Sequence, residues 1–273
     1  MKKVALITGA SSGIGKETAL ELIKDGFHVY GAARRVEKME ELSKQGIQIL
    51  PLDVTDEESM TRCVKTILEK EGQIDILINN AGYGSYGAIE DVPICEARHQ
   101  LDVNLFGLAR MTQLVLPPMR AHHYGKIVNI SSMAGKIHTP YGAWYHATKF
   151  AVEGFSDCLR MEVAPFGIDV ILIEPGGIKT DWGLIAAENL KKTSTHGAYA
   201  DSATRVAGQM TKLYSGDKLT SPSIIAQTIR EAVNAGKPRT RYAVGYMAKP
   251  SIFLRRILSD RCFDKIIRKI QKM

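Results

Sequence analysis

Strand-like and helix-like hydrophobic patterns alternate along nearly the whole chain, and that alternation leaves few folds open. Apolar runs rich in β-branched residues fall at about 2–7, 27–33, 47–52, 74–78, 125–130, 168–174 and 240–245. Between them, apolar residues spaced for one helical face predict helices at about 13–25, 36–45, 56–71, 96–120, 143–166 and 223–235. Strands separated by helices do not close as hairpins; they pair in parallel, with helices covering both faces. Ile127-Val128-Asn129-Ile130 and Val170-Ile171-Leu172-Ile173 suit strands buried on both sides. The expected fold is α/β: a doubly wound, seven-stranded parallel sheet in one domain over residues 1–248. The chain has 273 residues, 45% of them hydrophobic, enough for a sizeable core, and no Pro/Ser-rich linker or repeat divides it.

Sheets of this kind bind ligands beyond the carboxyl ends of their strands. The first predicted strand runs directly into Thr8-Gly9-Ala10-Ser11-Ser12-Gly13-Ile14-Gly15, and a helix follows. Glycines there allow a tight turn and let the backbone approach a pyrophosphate at the helix N-terminus. On the predicted helix 143–166, Tyr145 and Lys149 stand four residues apart and share one face. A free phenol has a pKa of about 10, and a nearby ammonium favours its ionised form, so this pair has the makings of a general acid/base.

These motifs, with Asn79-Asn80-Ala81-Gly82 after the fourth strand, resemble the short-chain dehydrogenase/reductase (SDR) family. The resemblance extends to Asp53, Asn104, Ser132 thirteen residues before Tyr145, and Pro175-Gly176, and spans about residues 3–180 in order. It implies a Rossmann fold, and hydride transfer between a nicotinamide dinucleotide and a carbonyl or alcohol carbon. It implies that Tyr145 gives or takes the proton and that Lys149 lowers its pKa and holds the nicotinamide ribose. Ser132 would bond the carbonyl oxygen, with Ser131 as a competing candidate, and Asn104 would hold a water of a proton relay. For the cofactor, the resemblance implies Gly9, Gly13 and Gly15, with Ser11, Ser12 and Ile14 in the same turn, at the pyrophosphate. Asp53 and Val54 would frame the adenine, although Asp53 also suits a helix cap before Glu57. Asn80, Ala81 and Gly82 would line the adenosine ribose, Pro175, Gly176 and Ile178 the nicotinamide, and Thr180 would reach its carboxamide.

An acid that bonds the ribose 2′-hydroxyl of NAD is expected at the end of the second strand. Ala33 stands there instead, followed by Arg34 and Arg35, and an unopposed guanidinium suits a 2′-phosphate. The expected cofactor is therefore NADP(H), and the expected direction is reduction. The region of about 177–220 corresponds to a variable substrate lid in this family. Its Trp182, Leu184, Ile185, Tyr199, Met210, Leu213 and Tyr214, with Tyr83, Tyr86, Ile137 and Tyr141, point to a bulky apolar carbonyl or alcohol substrate or to packing onto the body. The wording around Phe150–Asp157 and Glu174–Gly177 is most similar to the 17β-hydroxysteroid and retinol dehydrogenase branch.

The net charge of +7 is uneven: from Lys237 onward eleven Lys/Arg face Asp260 and Asp264, +9, leaving −2 for the first 236 residues. Residues 249–273 form a basic extension whose Ile252, Phe253, Ile257, Phe263, Ile266, Ile267 and Ile270 are spaced for one helical face. Such a helix packs over the cleft or a subunit interface, the favoured reading, or meets an anionic membrane. Basicity confined to the tail argues against a nucleic-acid partner. Four scattered cysteines, Cys63, Cys95, Cys158 and Cys262, read as free thiols, and no His/Cys cluster has metal spacing. With no apolar run of membrane length, a cytoplasmic chain is expected. Family habit implies a homodimer or homotetramer through helices 96–120 and 143–166. Two other functions remain open: oxidation of a steroid- or retinol-like alcohol, and a non-catalytic dinucleotide sensor.

Overall fold

The computed structural model describes residues 2–271; Met1, Lys272 and Met273, at the ends of the predicted domain and tail, lie outside the described residues. Seven strands, β1 (Val4–Thr8), β2 (His28–Ala33), β3 (Gln48–Pro51), β4 (Ile76–Asn79), β5 (Gly125–Ile130), β6 (Ile168–Pro175) and β7 (Arg241–Val244), form one sheet. Their order is β3-β2-β1-β4-β5-β6-β7, and every pairing is parallel. The order reverses between β1 and β4, which opens a crevice at their carboxyl ends.

Both faces of the sheet are covered. On one, Ala5, Ile7, Ile78, Val128 and Ile171 pack with Ala19 and Leu22 of α1 (Gly13–Lys24) and Leu42 of α2 (Glu40–Lys44). On the other, Leu6, Leu77, Ile127 and Val170 pack with Val64 and Ile67 of α3 (Glu57–Glu71). Burying a Val, Leu or Ile contributes about 1.5–3 kcal/mol, which drives the layers together. It does not set the register of β1, because a one-residue slip exchanges apolar Ala5 and Ile7 for apolar Val4 and Leu6. The polar end of the strand does: Thr8 Oγ1 accepts from the backbone N–H groups of Asn80 and Ala81, each at 3.0 Å.

The predicted helix 96–120 departs from a regular helix. It is α4 (Ile94–Leu101), a π-turn over Asp102–Phe106 and α5 (Gly107–Ala121), with Asn104 in the wide turn. The extra residue in that turn re-phases α5 against α4. Helix α6 (Ala143–Val163) follows as expected. The lid region holds two helices beyond those expected from sequence, α7 (Trp182–Ser194) and α8 (Ala200–Tyr214). Helix α9 (Pro222–Asn234) begins on a Ser221 side-chain cap and packs beside α1. The tail is two helices, α10 (Ala248–Ile257) and α11 (Asp260–Gln271), broken at Leu258–Ser259, so its apolar positions do not lie on one continuous helix. No described helix is long and apolar enough to cross a membrane.

Candidate active site

The glycine turn at the end of β1 is tied to the segment after β4. Asn80 Nδ2 donates to the carbonyls of Thr8 (3.0 Å) and Gly9 (3.1 Å). The Asn80 side chain thus braces the turn. Thr8, which sequence reasoning left out of the site, is its counterpart. Gly9 and Gly13 adopt φ of +67° and +54°, where a side chain is strained. A Cβ on Gly15 would lie 2.5 Å from Asn80 Nδ2 and closer still to the Gly9 carbonyl oxygen. Helix α1 starts without a side-chain cap: Ser12 is extended, and its hydroxyl makes no cap bond. The uncapped N–H groups and positive helix end, beside a turn with glycine at 9, 13 and 15, fit a dinucleotide pyrophosphate.

The remaining expected cofactor residues border this cradle. Thr180 comes to the N-terminus of α1, since a Cβ on Gly13 would sit 3.2 Å from its Cγ2. Ile178 is different: its side chain is buried in the core near Gly245, so only the backbone shapes the cleft there. Asp53 does not cap α3; Asp56 does, accepting from Glu58 N–H. Asp53 instead accepts from the N–H and hydroxyl of Thr55 at 2.9 and 2.7 Å. Burial raises its carboxyl, but those bonds and the nearby Arg34 outweigh burial and hold it below the usual range. Val54 is buried against Gly107 at the start of α5. Arg34 and Arg35 are exposed beyond β2, and Ala81 and Gly82 follow Asn80 at the crevice. Pro175 and Gly176 close β6, where a Cβ on Gly176 would lie 2.8 Å from Ala248 N.

Around Tyr145 the structure assembles all four expected catalytic residues. Ser132 Oγ donates to the Pro175 carbonyl at 3.4 Å and accepts from Ala134 N–H at 3.1 Å, and its hydroxyl is near enough to the Tyr145 phenol to act on its ionisation. Ser131, the competing candidate, is buried with a hydroxyl that makes no hydrogen bond among the described residues, beside Gly135. Lys149 Nζ donates to the Ile130 carbonyl at 2.8 Å and stands 5.8 Å from the Tyr145 ring centroid. The π-turn presents Asn104 to the backbone of Tyr83: its Nδ2 donates to Tyr83 O at 2.8 Å, and its Oδ1 accepts from Tyr83 N–H at 3.0 Å. Thr148, also missed from sequence, accepts from Asn104 Nδ2 at 3.1 Å and donates to the Tyr145 carbonyl at 2.8 Å. The side-chain amide of Asn104 thus locks the 83 loop to α6.

The electrostatics depart from the expectation that Lys149 pulls Tyr145 down. Burial pushes the Tyr145 phenol well up, and only the Ser132 hydroxyl works against it. Burial also lowers Lys149 to about 8, with Glu153 opposing. The i, i+4 spacing predicts nearness but not the desolvation that both groups undergo inside an aromatic enclosure. Trp182 at the start of α7 lies 4.8 Å from the Tyr145 ring, centroid to centroid, and Tyr86 lies 6.1 Å away. Tyr214, at the end of α8, packs on Trp182 at 6.4 Å. A Cβ on Gly84 would lie 3.0 Å from Trp182 Cε2 and closer to Cζ2, and one on Gly183 would overlap the Tyr214 ring.

The tail joins this cover. Phe263 of α11 is buried against His138 at 5.0 Å between ring centroids, and His138 Nε2 pairs with Asp264 Oδ1 at 2.8 Å. Phe253, Ile257 and Ile270 stay exposed, so the outer side of the tail carries apolar residues among its charges. The described residues contain no His/Cys/Asp/Glu group able to hold a metal.

The family model described as short chain dehydrogenase matches residues 3–189. A 3-ketodihydrosphingosine reductase of Bacteroides thetaiotaomicron is 43% identical over 74% of this chain and 74% of its own length. An NADPH-dependent 3-dehydrocapnine reductase of Ornithobacterium rhinotracheale is 35% identical over 98% of this chain and 96% of its own. Among solved structures, a short-chain dehydrogenase from Streptomyces avermitilis superposes with a TM-score of 0.83 at 34% identity, covering 100% of this chain and 98% of that one. The closed form of a serine dehydrogenase complexed with NADP+ gives 0.78 at 25% identity, over 89% of this chain and 95% of that one.

Proposed function

The chain belongs to the short-chain dehydrogenase/reductase family and is an oxidoreductase; from that premise we propose that it uses NADPH to reduce the carbonyl of a bulky, apolar substrate, with Tyr145 as the acid. The observation that carries this reading is the buried Tyr145 phenol, influenced by Ser132 and walled by Trp182 and Tyr86. A substrate carbonyl beside it would meet this aromatic surface, which favours apolar substrates. The two reductases among the relatives, one named as NADPH-dependent, support the reductive direction.

Bound NADPH would supply the hydride. The glycine turn, α1, Ala81, Gly82, Pro175, Gly176 and Thr180 would hold it, with Arg34 and Arg35 at the 2′-phosphate. The protein's own part is to move a proton. Ser132 Oγ–H donates to the substrate oxygen as negative charge builds there, and Tyr145 gives that oxygen its phenolic proton. Lys149, fixed by the Ile130 carbonyl, stabilises the phenolate left behind. The raised phenol keeps Tyr145 protonated at neutral pH, as a donor requires. Phe106, Phe150 and Met161 stay exposed on the π-turn and on α6, which pack together, and are assigned to a contact with a second copy.

NADPH oxidation against ketosteroids, retinal, long-chain 3-ketones, 3-oxoacyl thioesters and small aldehydes tests the proposal. Turnover on a bulky apolar ketone that disappears in Tyr145→Phe supports it. Turnover confined to small polar aldehydes, or undiminished in Tyr145→Phe, rejects it.

A further inference from the structure

A second charged cluster lies one helical turn beyond Lys149. Glu153 follows it by four residues on the same face of α6, and is 4% exposed. It shares its cationic partners, Lys136 and Arg241, with Glu174, also 4% exposed, the last residue of β6 before Pro175. Lys136 Nζ stands 2.7 Å from Glu153 Oε2 and 3.9 Å from Glu174 Oε1. From β7, Arg241 Nε stands 3.0 Å from Glu153 and 3.3 Å from Glu174, while its other nitrogen holds Asp157, which also pairs with Arg160. Helix α10, packed on β7 and the 133–135 turn, adds no charge here: Lys249 and Arg256 are exposed and Arg255 pairs with Asp260. Glu153 Oε1 is buried with no hydrogen bond among the described residues. A Cβ on Gly135 would sit 2.9 Å from both the Lys149 carbonyl oxygen and Ser131 Oγ, and 3.0 Å from Glu153 Cγ. The acid and the Lys149 turn therefore converge on one point.

Two adjacent buried carboxylates do not both ionise readily, and such a pair titrates as a unit. Lys149 is a buried ammonium whose one described partner is a neutral carbonyl, so its charge needs support from nearby. We propose that the Glu153–Glu174 pair is a positioning element of the active site that keeps Lys149 in its ammonium form. Glu153 is the member on the same helical face as Lys149, and Glu174 adds its charge when it ionises. The direction of the shifts agrees. Burial, then Glu153, pushes Glu174 up to about 7, against Lys136 and Arg241. The second charge of the pair thus appears just below the pH at which Lys149, lowered to about 8, would otherwise lose its proton.

The role assigned to Lys149 rests on the proposed reduction, so the test does not depend on turnover. The 13Cε resonance of Lys149 in lysine-labelled protein, identified by its absence in Lys149→Arg, is followed across pH. Glu153→Gln is expected to lower its midpoint by about one pH unit, and Glu174→Gln by about half as much. The alkaline limb of kcat/KM for NADPH oxidation should move the same way, and Glu153→Asp should restore part of both shifts. A purely structural pair would lower Tm and leave the Lys149 midpoint in place, which would overturn the proposal. If Glu153→Gln does not fold, a midpoint unchanged or raised in Glu174→Gln overturns it equally. Failure to find a substrate would remove the kinetic readout and count against the proposed reduction alone, while the NMR midpoint still decides this one.

Discussion

The glycine turn and the helical cover face the same cleft, yet they are held by different forces. The turn is fixed by short polar bonds: Asn80 to the Thr8 and Gly9 carbonyls, and Thr8 to two N–H groups. The cover of α7 and α8 rests on aromatic and small apolar contacts, with a few hydroxyl ties such as Ala88 N–H to Ser194 Oγ at 2.8 Å. Directional bonds leave one arrangement, whereas apolar packing accepts many side chains of suitable volume. A fold that grips one cofactor and meets varied substrates is well served by that division. The polar end is exacting, and the apolar end is adjustable.

This contrast can be broken at several points. The largest effect is expected from Gly15→Ala, whose methyl would strike the Gly9 carbonyl and the Asn80 amide. NADPH affinity, measured by fluorescence titration, should fall by about a hundredfold, or about 2.7 kcal/mol. Affinity within threefold of the parent would mean that the turn is as tolerant as the cover. Next is Arg34→Ala, which would remove the charge-assisted bond proposed to the 2′-phosphate. NADPH affinity should fall about tenfold or more while NADH affinity is unchanged, and equal losses for both would assign Arg34 a general role. Trp182→Ala should act on the other side alone, raising KM for a bulky ketone about tenfold with the Kd of NADPH within twofold. The smallest catalytic effect is expected from Phe263→Ala. Hydrogen exchange should show α11 released from His138, with kcat/KM within about threefold.

Legibility from sequence followed the same division. Every sheet strand was visible, the central ones β1, β4, β5 and β6 most plainly, because strands buried on both faces are rich in Val, Ile and Leu. Tyr145 and Lys149 stood out by spacing, Ser132 and Asn104 only through the family resemblance, and the structure places all four in one region. Helix α7 escaped because its buried face is largely small residues (Gly183, Ala186, Ala187 and Ser194), which gives a weak hydrophobic period; α8 carries a clear amphipathic pattern around Ala203, Val206 and Ala207 that went unread. The tail break had a signal that went unread: Ser259-Asp260 is a helix start, and the Ser259 carbonyl accepts from Phe263 N–H at 3.0 Å. The π-turn left no such mark, since Asp102–Phe106 keeps the apolar spacing of an ordinary helix. Nor does spacing carry burial, which is why the shift of Tyr145 ran against expectation and that of Lys149 was not foreseen.

Gly84 and Gly183 are two missing methyl groups, each replaced by the ring of a neighbour, Trp182 and Tyr214. Their bareness sets how deep these rings sit. Because Gly84 carries no methyl, the indole lies deep enough for its ring to come within 4.8 Å of that of Tyr145, centroid to centroid. Restoring a methyl at Gly84 would raise the seat of the lid by about the thickness of a carbon atom. That change would shift the preferred ligand size without altering any residue that touches the dinucleotide.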